Sequence, residues 1–191
     1  PHQLDVDYPE PYIPRSLTFE CPERITSEGE VLIPLDEARI REIVAGFDSQ
    51  GIEAVAVCLL WSVMNPAHEL RIGEIIRELR PDLQVTLSHQ LNPVLREYRR
   101  ASSAAIDASL KPLMQRHLRD MESDLRAAGY EGQIVVATSF GGVMHVDDVI
   151  EHPIYLVRSG PAMAPIAGIT YAELENCGRD VIVCDTGGTT F

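Results

Sequence analysis

A chain of 191 residues with 45% hydrophobic content is long enough to bury one sizeable core, or one core and a smaller lobe, and too apolar to be disordered. Its 16 Lys and Arg stand against 29 Asp and Glu, a formal net charge of -13, so the surface repels nucleic-acid phosphates and no nucleic-acid partner is expected. No apolar run reaches the ~18–20 residues of a membrane span, and four cysteines without a C-x-x-C pair indicate neither a zinc site nor a disulfide framework. A reducing cytoplasm without membrane attachment is the expected setting.

The acidity is uneven, with seven acids against two arginines in residues 1–30. That stretch also holds Pro1, Pro9, Pro11, Pro14 and Pro22, which lack backbone donors and bias their predecessors towards extended conformations. Residues 1–35 therefore read as an extended proline-rich strap or linker, with an edge strand at 16–20, and residues 36–191 as an α/β domain. The chain begins without Met and stops at Phe191 directly after a glycine-rich turn, which reads as a fragment of a longer protein.

From Asp36, a candidate cap, Ile40, Ile43, Val44 and Phe47 follow helical spacing. The near-continuous apolar run 52–61 suits a strand buried on both faces. Asn65-Pro66 opens a second helix that ends at Arg80-Pro81, and residues 84–88 form the next strand. Helix and strand alternating in this way indicate a mainly parallel sheet with flanking helices.

A long helical region follows over 94–128, broken near Lys111-Pro112, with Arg99 and Arg100 facing solvent and Gly129 as its stop. Strands are expected at 133–138 and 154–157, short helices at 146–150 and 163–174, and turns at Ser139-Phe-Gly-Gly142 and Ser159-Gly-Pro161.

The last apolar run, Val181 to Cys184, reads as a buried strand that delivers Asp185-Thr-Gly-Gly-Thr-Thr190 at a sheet's C-terminal edge, where open α/β sheets bind ligands. Gly187 and Gly188 leave no Cβ in the way, so consecutive N–H groups can converge on an anionic oxygen, while Thr189 and Thr190 add hydroxyl donors. Asp185 can hold Mg²⁺ directly or through water. The same residue types also build ordinary turns. No lysine follows the glycines, so this is not a Walker A loop.

The order of several short motifs resembles the hydantoinase A and 5-oxoprolinase family of ATP-dependent lactam and imide hydrolases and ketone carboxylase subunits. They are Asn65-Pro-Ala-His-Glu-Leu-Arg71, the stretch Ser88 to Tyr98 continuing through Arg99-Arg-Ala-Ser102, Ser139-Phe-Gly-Gly142, Arg158-Ser-Gly-Pro161 and Asp185-Thr-Gly-Gly-Thr189. The resemblance implies an actin/Hsp70/sugar-kinase-like (ribonuclease H-like) ATPase fold, of which the Asp185 turn looks like the second of two phosphate loops. It also implies ATP and Mg²⁺ as cofactors and a second, hydantoinase B-like subunit or domain as partner.

In that scheme Asp185 acts in catalysis and holds the metal, Gly187, Gly188, Thr189 and Thr190 bind phosphate, and Ser159 and Gly160 are secondary contacts. Family members usually continue after Ser-Gly-Pro with a glycine pair, where this chain has Ala162-Met163. Met144-His145 beside the Gly-Gly turn is closer to the aromatic-ketone carboxylase branch. The expected reaction is phosphorylation of a carbonyl oxygen for hydrolysis of a cyclic amide, with ketone carboxylation or a non-catalytic scaffold role as alternatives. The scattered histidines His68, His89 and His145 are expected for the most part to be structural or exposed, with His68 read as a helix cap and His145 as the first to test.

Overall fold

The computed structural model describes residues 10–178 and 180–187, and divides the chain into two compact units, Pro1–Ser109 and Leu110–Phe191. The fold is α/β. Instead of one mainly parallel sheet, the described residues form three two-stranded sheets, of which one is parallel and two are antiparallel.

In the first unit, β1 (Arg24–Ile25) and β2 (Val31–Ile33) make an antiparallel hairpin, tied down by Asn65 Nδ2 donating to Gly29 O at 2.8 Å. The edge strand expected at 16–20 is a 3-10 turn at Arg15–Leu17, closed by Leu17 N donating to Pro14 O. Asp36 caps α1 (Glu37–Ala45) by accepting from Arg39 N at 3.0 Å. β3 (Ala54–Val57), α2 (Ala67–Leu79) and β4 (Gln84–Leu87) form a β-α-β unit, with β3 and β4 parallel in the register Ala54↔Gln84 to Val57↔Leu87. β3 is shorter than the apolar run 52–61, because the chain turns at 60–64 with Trp61 in the left-handed region at φ 58°.

The core of this unit is aliphatic: Ile40, Val44 and Phe47 meet Ile72, Ile75 and Ile76 of α2, closed by Val57, Leu59, Leu83 and Leu87. Every third or fourth residue of α1 and α2 contributes, as the helical spacing requires. On the outside, Arg71 grips Glu37 through Nε and Nη2, both at 2.9 Å, and also reaches Glu74 and Glu78.

A short α3 (Ser88–Leu91) leads to α4 (Glu97–Ala127), which runs unbroken through Pro112, and the division between the units falls within it. The expected break is absent. Proline's fixed φ suits a helix, and its cost is confined to one lost hydrogen bond and local crowding, which packing on the flanking turns can offset. Gly129, at φ 90°, stops the chain beyond α4 as expected.

The second unit contains the antiparallel hairpin β5 (Val135–Ala137) and β6 (Val143–His145), α5 (Val146–Glu151) and α6 (Ser159–Leu174). Leu118, Ile134, Val146, Val149 and Ile150 form its core. The strand expected at 154–157 is a 3-10 turn at Pro153–Leu156, for which Pro153 presets φ at the first position. Ser159-Gly-Pro161, read as a turn, is the first turn of α6, where proline's missing N–H has no helical partner to lose. Among the described residues no helix is long and apolar enough to cross a membrane.

Ile75 is fully buried at the centre of the first core. Ile75→Ala should lower stability by about 2–5 kcal/mol through lost burial and the cavity left behind, read as a fall in urea midpoint with little change in slope.

Candidate functional site

In the second unit, α6 is the spine on which two glycine-dependent segments rest. The turn Ser139-Phe-Gly-Gly142 closes the β5–β6 hairpin. Thr138 N donates to Gly142 O at 2.9 Å, Gly141 N donates to Thr138 O at 3.1 Å, and Ser139 N donates to Tyr155 O at 2.7 Å. Gly141 has φ 76°, and a Cβ there would press on Ile166 Cδ1 at 3.1 Å and Ala162 O at 3.3 Å, so glycine lets the turn lie directly on α6. Phe140 projects from the turn, 74% exposed, its ring 5.5 Å from that of Tyr155.

Two residues beyond Ile166 on α6, Gly168 receives the C-terminal segment. A side chain at 168 would collide with Val183 Cγ2. Val181 to Cys184 is therefore held against a helix, but it is not the buried strand expected. It lies in no strand, and Ile182 is 95% exposed. A strand needs a neighbour to accept its hydrogen bonds, and none pairs with this segment among the described residues.

Asp185 and Gly187 are exposed at the end of this segment, whereas Gly188, Thr189 and Thr190 lie outside the described residues. Ser159 and Gly160 open α6 behind Arg158, which has φ 62° and ψ 27° and supplies no side-chain cap. The structure thus brings the 139–142 turn, Ser159-Gly160 and the approach to Asp185 onto one helix. His145 is engaged elsewhere: its Nδ1 accepts from Asp147 N at 3.5 Å at the start of α5.

Among the described residues no three His, Cys, Asp or Glu side chains gather as a metal site. The exposed carboxylate of Asp185 is compatible with Mg²⁺, which keeps most of its water and takes further oxygens from a bound phosphate.

A second cluster, which the motif reading passed over, lies at the C-terminal edge of the parallel pair in the first unit. Glu69, on the first turn of α2, is fully buried and accepts four hydrogen bonds: Leu59 N at 2.8 Å, Ser88 Oγ at 2.7 Å, His89 N at 3.1 Å and His89 Nδ1 at 2.6 Å. Arg100, expected to face solvent, is also fully buried; only Arg99 of that pair is exposed. Arg100 donates through Nε to Ser88 Oγ at 3.3 Å, through Nη1 to Val94 O at 3.1 Å, and through Nη2 to Leu59 O and Ser62 Oγ.

Ser88 thus bridges a buried carboxylate and a buried guanidinium, donating to one and accepting from the other. Cys58 lies in the same cluster, where burial pushes its thiol pKa up, so it is the neutral S–H that reaches Glu97 O at 3.7 Å. His68 is not the helix cap; its Nδ1 pairs with Glu23 at 2.7 Å, and Asn65 Oδ1 accepts from Ala67 N at the helix start instead. The available signal was a carboxylate, a serine, a histidine and an arginine inside two short motifs, 65–71 and 88–102, but sequence carries no sign that these face each other.

Residues 2–80 match the model of the hydantoinase/oxoprolinase N-terminal region and residues 100–191 that of hydantoinase/oxoprolinase. The chain is 35% identical to the caprolactamase subunit alpha of Pseudomonas jessenii, over 100% of its own length and 27% of that protein. It is 36% identical to the acetophenone carboxylase gamma subunit of Aromatoleum aromaticum, over 96% of its length and 25% of that protein. The crystal structure of the ATP-dependent caprolactamase from Pseudomonas jessenii superimposes with a TM-score of 0.80, covering 92% of this chain and 26% of that one at 34% identity. The chain therefore spans about a quarter of the length of these relatives.

Two variants test the geometry. Gly168→Leu should displace Val181 to Asp185 from α6, seen as faster amide exchange and proteolysis at 181–187 with the first unit unchanged. Glu69→Leu strips the buried Arg100 of its opposite charge and should cost about 3–5 kcal/mol in urea unfolding.

Proposed function

The chain belongs to the hydantoinase/oxoprolinase family, and from that premise we propose that it is part of the ATP-using subunit of a multisubunit enzyme that activates a carbonyl oxygen by phosphorylation. The carrying observation is the convergence on α6: the Gly141 turn, the Ser159-Gly160 helix start and the segment leading to Asp185 are all positioned by one helix, as a phosphate-gripping site requires. Phosphoryl transfer asks a protein mainly for positioning and charge neutralisation. The backbone N–H groups of Gly187 and Gly188, with the Thr189 and Thr190 hydroxyls, would hold phosphate oxygens. Asp185 would hold Mg²⁺, which supplies charge neutralisation at the phosphates.

α6 supports membership in a larger subunit. It is rich in apolar residues, yet Ala172 is its only buried residue among those described, and Tyr171 and Leu174 are 69% and 70% exposed. Helices apolar on all sides are ordinarily covered by further polypeptide. A second, hydantoinase B-like subunit would supply groups that act on the organic substrate; both relatives above are named as subunits.

Two reactions share this activation step. In one, the phosphorylated carbonyl of a cyclic amide is opened by water. In the other, a phosphorylated enolate or bicarbonate leads to a carboxylated ketone. The second is the preferred reading here. The similarity to the acetophenone carboxylase subunit supports it, and so does Phe140, an exposed aromatic ring in the Gly-Gly turn on α6.

In the complete enzyme, Asp185→Asn should reduce ATP turnover at least about 100-fold, measured as ADP release; unchanged turnover would rule out the phosphate-site reading. ADP release driven by an aromatic ketone with bicarbonate, but not by a cyclic amide, would establish carboxylation, and the reverse pattern would establish hydrolysis.

A further inference from the structure

β3 and β4 run parallel, so the loops that follow them, 58–65 and 88–96, leave the sheet at the same edge, the edge at which open α/β folds place ligands. Both loops contain a non-glycine residue in the left-handed region, Trp61 at φ 58° and Arg96 at φ 75°. Such strain persists only where surrounding contacts enforce it. Here Arg100 enforces it, holding Leu59 O and Ser62 Oγ of one loop and Val94 O of the other.

His89 sits in this arrangement with its two ring nitrogens unequally treated. Nδ1 is 2.6 Å from a carboxylate that has no solvent exposure, while Nε2 has no protein partner among the described residues and keeps contact with solvent on a side chain 11% exposed. A carboxylate on Nδ1 fixes the proton there and leaves the lone pair on Nε2. The imidazole is not required to satisfy Glu69, which already accepts from Leu59 N, Ser88 Oγ and His89 N.

We propose that His89 is the proton-accepting group of a second small-molecule site at the C-terminal edge of β3 and β4, with Glu69 as its positioning residue. The free nitrogen selects the ligand group. The donors of Arg100 are committed to Leu59, Ser62, Ser88 and Val94, so the open polar atom on His89 is a lone pair, which takes a proton donor. A molecule presenting an N–H, an O–H or the acidic C–H beside a carbonyl fits, and the chain beyond His89 leaves apolar side chains exposed, Val94 and Leu95 in the loop and Tyr98 on the first turn of α4, at 41%, 59% and 78%.

Nε2 takes the proton of that group, the bonding pair stays on the ligand as the nucleophilic nitrogen, oxygen or enolate, and the imidazolium charge is held opposite Glu69. Cys58 does not compete for this role, because its buried thiol stays protonated and its S–H is turned to Glu97 O.

The assay, though not the site, rests on the ATP-using reading. In the complete enzyme, His89→Gln keeps an amide N–H for Glu69 and should leave the melting temperature and Mg-ATP affinity unchanged while substrate-driven ADP release falls at least about 100-fold. His89→Ala should lose activity similarly and regain part of it with added imidazole. Turnover of the Gln variant within about threefold of the unsubstituted enzyme, or an Ala variant that imidazole does not revive, would overturn the proposal. Carbethoxylation by diethyl pyrocarbonate, located by peptide mass spectrometry, reads the free Nε2 without any nucleotide chemistry; an unmodified His89 would also overturn it. An enzyme that releases no ADP before any modification, yet whose His89 the reagent carbethoxylates, would count against the nucleotide reading alone.

Discussion

The contact on which the first unit depends is the hydroxyl of Ser88, set between the carboxylate of Glu69 and the guanidinium of Arg100. Each charge is fully removed from solvent, at a desolvation cost of several kcal/mol per ion in isolation. That cost is offset because Glu69 accepts from four donors and four of the five guanidinium N–H groups of Arg100 meet acceptors. Those partners are the ends of the loops after β3 and β4 and the first turns of α2 and α4, so one polar knot fixes the exits of the parallel pair. An aliphatic core of Ile72, Ile75 and Ile76 could hold α2 on the sheet without it, but would not dictate the path of either loop.

The second unit is organised differently. Its core is small, Leu118 and Ile134 against α5, and its order around α6 comes from missing side chains. Gly141 admits a left-handed turn onto Ile166, and Gly168 admits Val183. The approach to Asp185 rests on α6 where Gly168 leaves room for Val183, with Ile182 left in solvent. The two units are thus ordered by different means: absent side chains along α6 in one, and a buried carboxylate–serine–guanidinium knot in the other.

Much of this was legible before any coordinates. The spacing of Ile40, Val44 and Phe47 and of Ile72, Ile75 and Ile76 placed α1 and α2, because a helix buried on one face repeats its apolar residues every three or four positions. Asp36 as a cap and Gly129 as a stop follow from local backbone chemistry. The order of the short motifs pointed to the family. The order of glycines, serines and acids along a chain survives in sequence even where each motif alone is a common turn.

What tertiary structure alone decided are the features that depend on partners distant in sequence. Val181 to Cys184 has the composition of a buried strand, but strand formation requires a neighbour, and a helix is what it meets. Residues 154–157 looked extended from β-branched content, yet Pro153 and the bond from Ser139 turned them into a 3-10 turn. Arg100 is the sharpest case. By residue type it belongs in water, and nothing local to Arg99-Arg100 distinguishes one from the other. Leu59, Ser62, Ser88 and Val94, brought from 6 to 41 residues away, supply the acceptors that make burial of its charge favourable.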